Sequence, residues 1–169
     1  MTDIITKITQ KHEGMVKNLC KELFETTPIK YFHFDKIYDD GGCFGLCSRS
    51  DLVQIALEHD ITHKAHDILP GIRLLSADNS TKIKVFKDKV GLDHFLYMFL
   101  ERADSHELGV FGTENVTKEE AATFYLSNLD LLHKFIFYFK CQVMPKLTEE
   151  DYFTIPKFSI ASQTVIEKQ

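Results

Sequence analysis

Three histidines in the stretch HDITHKAHD, residues 59–67, have a spacing that suits a metal site. His59, His63 and His66 stand at i, i+4 and i+7, so a continuous helix would place the three imidazoles on one face. Neutral imidazole is a common ligand of transition metals. A site would also need a fourth ligand, and the sequence indicates neither that ligand nor an uninterrupted helix. The alternative is a solvated loop, and no metal is predicted.

A second group of chemically capable residues surrounds His33. Cys43 or Cys47 could pair with this imidazole as nucleophile and base. None of the four cysteines forms a C-x-x-C pair. In an extended strand, Cys43 and Cys47 would stand about 13 Å apart, too far for a disulfide. Small buried thiols in a reducing compartment are the simpler interpretation.

Sequence motifs of the common enzyme classes are missing. Neither G-x-S-x-G, a P-loop, G-x-G-x-x-G nor H-E-x-x-H occurs in the chain. The paired carboxylates Asp39-Asp40 and Glu119-Glu120 are typical of a turn and of a helix cap. The chain is therefore not predicted to be an enzyme, and no cofactor is predicted.

The strand that carries His33 has two chemically different faces. Period-2 alternation over Ile29 to Tyr38 places Phe32, Phe34, Lys36 and Tyr38 on one side. The opposite side carries Tyr31, His33, Asp35 and Ile37. The first face is predicted to pack. The second either lines a cavity or faces water, and the pattern does not choose between them.

The other predicted elements complete an α+β domain. The turn residues Asp39–Gly42 favour a hairpin, and Thr117–Glu120 forms a capping box. Predicted helices cover 3–26, 48–59, 81–90 and 121–144, and predicted strands cover 29–38, 43–48, 72–75, 92–102 and 106–113. This order indicates an antiparallel sheet of about five strands flanked by helices, with a long helix near each end.

The helix over Ala121–Met144 has an unusually wide apolar surface. One stripe at helical spacing consists of Tyr125, Leu129, Leu132, Ile136, Phe139 and Val143. A second stripe, about 100° further round, consists of Phe124, Leu131, Phe135 and Tyr138. A helix this apolar is expected to have two partners. We predict the sheet and a second copy of the chain, with the first stripe as the dimer interface; the alternative is a core helix in a monomer.

Composition limits the classes of partner. The chain has 169 residues and a formal net charge of −5, and no run of Lys and Arg reaches four. Binding to a nucleic-acid backbone needs clustered basic residues, so this chain is not expected to bind nucleic acid directly. No apolar stretch approaches the length of a membrane span, and the charged N-terminus lacks a signal-peptide region. A cytoplasmic location is predicted.

Three segments resemble the sensory domain of bacterial LuxR-type transcription regulators. They are KYFHFDKIYDDGGCFGLCSRSDL at 30–52, LDHFLYMFLERADSHELGVFGT at 92–113 and FYLSNLDLLHKFIFYFKCQV at 124–143. The most specific parts are Tyr31–Gly41 and Phe124–Lys140. The resemblance implies a PAS-like α/β fold, a small-molecule or signal-sensing role, dimerisation and a downstream helix-turn-helix domain.

The sequence departs from that family in two respects. It ends at Gln169, about where the DNA-binding domain would start, so we expect no recognition helix and no specific DNA binding by this chain. It also has no tryptophan, whereas the acyl-homoserine-lactone receptors of the family use pocket tryptophans. That ligand is not predicted. Residues 1–147 are predicted to form the sensor and dimerisation domain, and 148–169 a tail or linker.

The leading functional prediction is a sensor with an apolar, aromatic-lined pocket between sheet and helices. A small molecule bound there would relay its signal through the closing helix by a population shift. The candidate pocket residues are His33, Asp35, Tyr97, Phe99 and Phe111. Each of them could instead simply fill the core. The alternative function is a protein-interaction module that heterodimerises with related regulators through the 124–143 helix without a ligand.

Overall fold

The sheet at the centre of the fold is built by strands that the alternating sequence predicts. A computed structural model describes residues 2–59 and 70–154. The helices are α1 (Thr2–Thr26), α2 (Ser50–Glu58), α3 (Thr81–Val90), α4 (Lys118–Ser127) and α5 (Leu129–Val143). The strands are β1 (Ile29–Tyr38), β2 (Gly42–Cys47), β3 (Gly71–Leu75), β4 (Leu92–Glu101), β5 (Ser105–Glu114) and β6 (Phe153–Thr154).

The six strands form one antiparallel sheet in the order β3-β4-β5-β1-β2-β6. Helices flank this sheet, which confirms the predicted α+β class and is consistent with a PAS-like fold. Strand β6 extends the sheet beyond the predicted boundary at residue 147, because its two residues pair with Gly42 and Cys43 of β2. The described part of the predicted tail therefore packs against the domain.

Local sequence signals explain several element ends. Gly41 adopts φ +92° in the turn between β1 and β2 and donates its N–H to Tyr38 O at 2.9 Å. Ser80 caps α3 through its side chain, and Gly91 ends that helix in the left-handed conformation. Thr117 caps α4 by accepting from Glu120 N. Each residue type suits the backbone conformation that it adopts.

The two faces of the sheet pack against different helices. Tyr31, Phe95 and Val110 lie on the face covered by α2 and α3, called the α2/α3 face. Phe32 and Phe111 lie on the opposite face, covered by α1, α4 and α5 and called the α1/α5 face. The predicted alternation along β1 is therefore confirmed, and each face has its own apolar core.

The single helix predicted over Ala121–Met144 is interrupted at Asn128. This residue has φ −128° and ψ 21°, outside the α region, so α4 ends before it and α5 begins after it. Its side-chain Nδ2 donates to Phe124 O at 2.8 Å and satisfies a carbonyl at the end of α4. The apolar spacing continues across the break, and the sequence pattern therefore did not reveal it.

The stripe assigned to a dimer interface lies instead in the core. Five members are buried and Leu129 is partly buried, all within the apolar cluster of the α1/α5 face: Tyr125, Leu129, Leu132, Ile136, Phe139 and Val143. Ile136 packs so closely on β5 that a Cβ at Gly109 would lie 2.5 Å from its Cδ1. The interface assignment is therefore wrong for this fold, because the sheet of the same chain already covers the stripe.

A buried charge cluster joins the sheet to α5. The Glu107 carboxylate lies within 2.9 to 3.1 Å of Lys36 Nζ, Lys140 Nζ and Arg102 Nε. The Glu107 side chain is fully buried. Burial opposes the charged form, but these three basic groups outweigh it and lower the pKa of Glu107.

Among the helices in the described ranges, none combines the length and hydrophobicity needed to cross a bilayer.

Candidate functional site

The candidate site is centred on an ion pair within β1. His33 Nε2 lies 2.7 Å from Asp35 Oδ1, and the two side chains are 16% and 23% exposed. Residues two apart in a strand share a face, so the pair lies on the α2/α3 face. The cross-strand partners are Cys47 for His33 and Gly45 for Asp35. The pair is thus half-buried on the inner strands of the sheet.

A glycine on β2 makes room for this pair. A Cβ at Gly45 would overlap Oδ1 of Asp35. The carboxylate therefore lies over the backbone of β2, where a larger residue would displace it. Within the site, the identity of Gly45 is explained by this close approach rather than by an unusual backbone angle.

The electrostatics keep His33 charged. Burial alone would lower the pKa of the imidazole, but the charge and hydrogen bond of Asp35, aided by Cys47, raise it to about 10. The site therefore holds an imidazolium and a carboxylate at neutral pH. An imidazole that is already protonated cannot act as a general base toward Cys47.

Tyr31 adds a neutral hydroxyl to the same site. Its OH lies 3.4 Å from His33 Nδ1, and its ring is 5.9 Å from the ring of Phe95. Burial and the neighbouring Cys47 side chain raise the pKa of the Tyr31 hydroxyl well above its ordinary value. The phenol stays protonated and supplies both a donor and an acceptor beside the ion pair.

The wall beside these polar groups is aromatic. Tyr97 and Phe99 of β4 lie on the α2/α3 face, opposite Val110 and Leu108 of β5. From α3, Phe86 stacks on Phe95 at 5.6 Å, and Lys82 Nζ lies 5.9 Å from the Tyr97 ring. Aromatic walls with a few convergent polar groups are the usual composition of small-molecule sites.

Four of the five predicted pocket residues share this face, and Phe111 does not. Phe111 pairs with Phe32 and Leu96, and its ring lies 5.1 Å from the Phe32 ring on the α1/α5 face. The prediction that it lines the same pocket as His33 is wrong. The register of β5 against β1 decides which side Phe111 occupies, and the sequence alone did not give that register.

Two residues of this face, Tyr31 and His106, were not predicted as candidates, and Cys47 was considered only as a nucleophile. Tyr31 could have been found, because strand alternation already placed it beside His33. Cys47 required the hairpin register, which pairs it directly with His33. His106 pairs with Ile37 and Glu101 at the end of the sheet, and no feature of its sequence neighbourhood marked it.

The cysteines and the histidine triplet are placed as follows. Cys43 and Cys47 are buried, and burial, with Asp35 adding to it, raises the pKa of the Cys43 thiol to about 12. His59 caps the end of α2, and its Nδ1 lies 2.9 Å from Ile55 O. His63 and His66 fall outside the described residues. Across 2–59 and 70–154, no three His, Cys, Asp or Glu side chains are placed to hold a metal ion.

Comparison with known proteins adds no family to this description. No family model matches the chain, and neither a curated protein nor a solved structure is significantly similar to it. The resemblance of its three segments to LuxR-type sensory domains remains a prediction.

Proposed function

We propose that this protein is a sensor domain that binds a small, largely apolar molecule on the α2/α3 face. The single observation that carries the proposal is the His33–Asp35 ion pair, half-buried on a face that is otherwise mainly aromatic and aliphatic. Taking charges out of water is costly, and a buried ion pair is weak evidence for stability. A role in orienting a polar group of a ligand explains its position better than a packing role.

The proposed ligand would lie against the aromatic wall of β4 and place its polar group near His33 and Asp35. Differential binding to two packings of the helices would then change the population of each packing. The resemblance to LuxR-type sensory domains supports this role. In such a regulator, contact with DNA would be made by a separate helix-turn-helix domain, and the protein would act in the cytoplasm.

The proposal can be tested by amide NMR titration with a library of small aromatic compounds. We expect the strongest shifts at amides of the α2/α3 face, around Tyr31, His33 and Tyr97. The variant His33→Gln should weaken the best binder about tenfold, the effect of one hydrogen bond to a charged group. Lys84→Gln is a matched control, because Lys84 lies on the exposed surface of α3. Compounds that bind but shift only amide signals outside the α2/α3 face would contradict the proposal.

A second candidate function, protein interaction through α4 and α5, is favoured by exposed apolar side chains. Leu126 is 74% and Phe137 64% exposed, and Leu131 and Tyr138 are also exposed. A second copy of the chain is the partner that fits best. In an antiparallel pair of α5 helices centred near residue 132, Asp130 of each copy would face Lys134 of the other.

This candidate is tested by the oligomeric state in solution. Light scattering after size exclusion should give a dimer for the native protein and a monomer for the double variant with Leu131→Glu and Tyr138→Glu. Both positions are exposed, so the variant should remain folded. A native protein that is monomeric at millimolar concentration would exclude self-association through this surface.

A further inference from the structure

A buried side-chain nitrogen on the α2/α3 face has no hydrogen-bond partner among residues 2–59 and 70–154. His106 Nδ1 is buried, and it makes no hydrogen bond within the described ranges. Most buried polar atoms are hydrogen-bonded, and leaving one unpaired is destabilising. Its position in the proposed ligand site therefore requires an explanation.

One face of the His106 ring lies against an aromatic ring. Its ring stacks on Phe99, with centroids 5.5 Å apart and planes 18° from parallel. Leu108 is the next residue of β5 on the same face, and it pairs with Asp35 of β1. His106 thus lies two residues, about 7 Å, along the sheet from the level of Asp35.

The chemistry of imidazole indicates what the missing partner is. A neutral imidazole has one donor and one acceptor nitrogen, and the proton occupies the nitrogen that is better satisfied. Buried N–H groups without an acceptor are rarer than buried acceptors without a donor. In the neutral form of His106 we assign the single ring proton to Nε2, which makes Nδ1 an acceptor that lacks a donor.

We infer that the site recognises a flat aromatic molecule carrying a hydroxyl or N–H group that donates to Nδ1 of His106. This inference rests on the proposed function and specifies its ligand class. The ring system would lie along Phe99 and Leu108, parallel to the existing stack. The donor would satisfy the one buried side-chain nitrogen that the described residues leave unpaired.

The test compares two compounds that differ only in the donor, 2-naphthol and 2-methoxynaphthalene. Their dissociation constants are measured by calorimetry and by amide NMR with the full chain. We expect 2-naphthol to bind about tenfold more tightly, as one buried hydrogen bond predicts. His106→Phe keeps a stacking ring and removes the nitrogen, so it should abolish the preference by weakening 2-naphthol alone. His106→Asn places a polar group near the position of Nδ1 and should restore part of the preference.

His133→Phe, on the exposed side of α5, is the matched control and should leave both constants unchanged. Thermal unfolding of each variant confirms that it is folded. Equal binding of both compounds at this face would overturn the inference and leave the proposed function standing. A preference that survives His106→Phe would also overturn it. Failure of both compounds to bind would overturn the inference, because they represent its ligand class. The proposed function is tested separately, by the compound library and by the native mass of the purified protein.

Discussion

His33 and Asp35 form an ion pair with 2.7 Å between Nε2 and Oδ1, on a sheet face that is mainly aromatic and aliphatic. Two opposing effects act on the imidazole. Burial favours its neutral form, and the carboxylate favours its charged form more strongly. The pair is the chemical centre of the proposed site.

The first prediction concerns the titration of His33. NMR titration of the native protein should give this histidine a pKa of about 10. In Asp35→Asn the favourable charge is lost while burial remains, so the pKa of His33 should fall below its ordinary value of 6.5. An unchanged pKa in this variant would show that Asp35 is not its cause.

The same pair should make stability depend on pH. The pKa of His33 is higher in the folded than in the unfolded chain, so its contribution is fully present below pH 6.5. That contribution should be lost as the pH rises toward 10. In urea unfolding, the native protein should lose more stability than Asp35→Asn between these pH values. Parallel curves for the two proteins would contradict the assignment.

The second prediction separates core from surface on α5. Ile136→Glu places an unpaired charge in the core, which should cost at least about 4 kcal/mol of unfolding free energy. In the monomer, Leu131→Glu, at an exposed position five residues earlier in α5, should change it by no more than about 0.5 kcal/mol. Circular dichroism during urea unfolding measures the unfolding free energy of both variants. A folded, monomeric Ile136→Glu protein would show that the stripe is not core.

The sequence predicts those features of the fold that depend on local patterns. Alternation along β1, the turn at Gly41 and the cap at Thr117 each follow from nearby residues. The surface that covers the apolar stripe does not follow from nearby residues. A helix packed on its own sheet and a helix packed on a second chain require the same spacing of apolar residues. The interruption at Asn128 was missed because apolar spacing continues through it.

The site is only partly predictable for the same reason. His33 and Asp35 could be grouped because they are two residues apart in one strand. The positions of Phe111 and His106 depend on how β5 is aligned with β1, a long-range register without a local signal. Lys36, by contrast, did have a local signal in the sequence. A lysine on a phenylalanine-rich face requires a buried counter-charge, and Glu107 provides it from 71 residues away.

The third prediction concerns the Glu107 cluster. Glu107→Gln would leave three basic groups around a neutral amide and should cost about 3–5 kcal/mol. Because the pKa of Glu107 is lowered on folding, its contribution is present above pH 4.5 and is lost as the pH falls below it. Asp88→Asn, in the exposed pair with Lys84, is the control and should cost less than about 1 kcal/mol. Equal effects of the two variants in urea unfolding would contradict the prediction.

The fourth prediction concerns the attachment of residues 148–154. Asp151 accepts from Thr148 N at 2.8 Å and Lys11 Nζ at 3.0 Å, and it lies 2.8 Å from His12 Nε2. Asp151→Asn should weaken these contacts by about 1–3 kcal/mol. Hydrogen exchange should then accelerate where β6 pairs with β2, whereas the exposed Glu149→Gln should leave it unchanged. Unaltered exchange in Asp151→Asn would show that other contacts hold the segment.

The most direct test of the central claim is the native mass of freshly purified protein, compared with its mass after denaturation. If the α2/α3 face binds a small molecule, the native species should carry an excess mass that denaturation removes. Asp35→Asn should reduce the fraction that carries it. A native mass equal to that of the bare chain, in protein prepared from several growth conditions, would contradict the ligand-binding account.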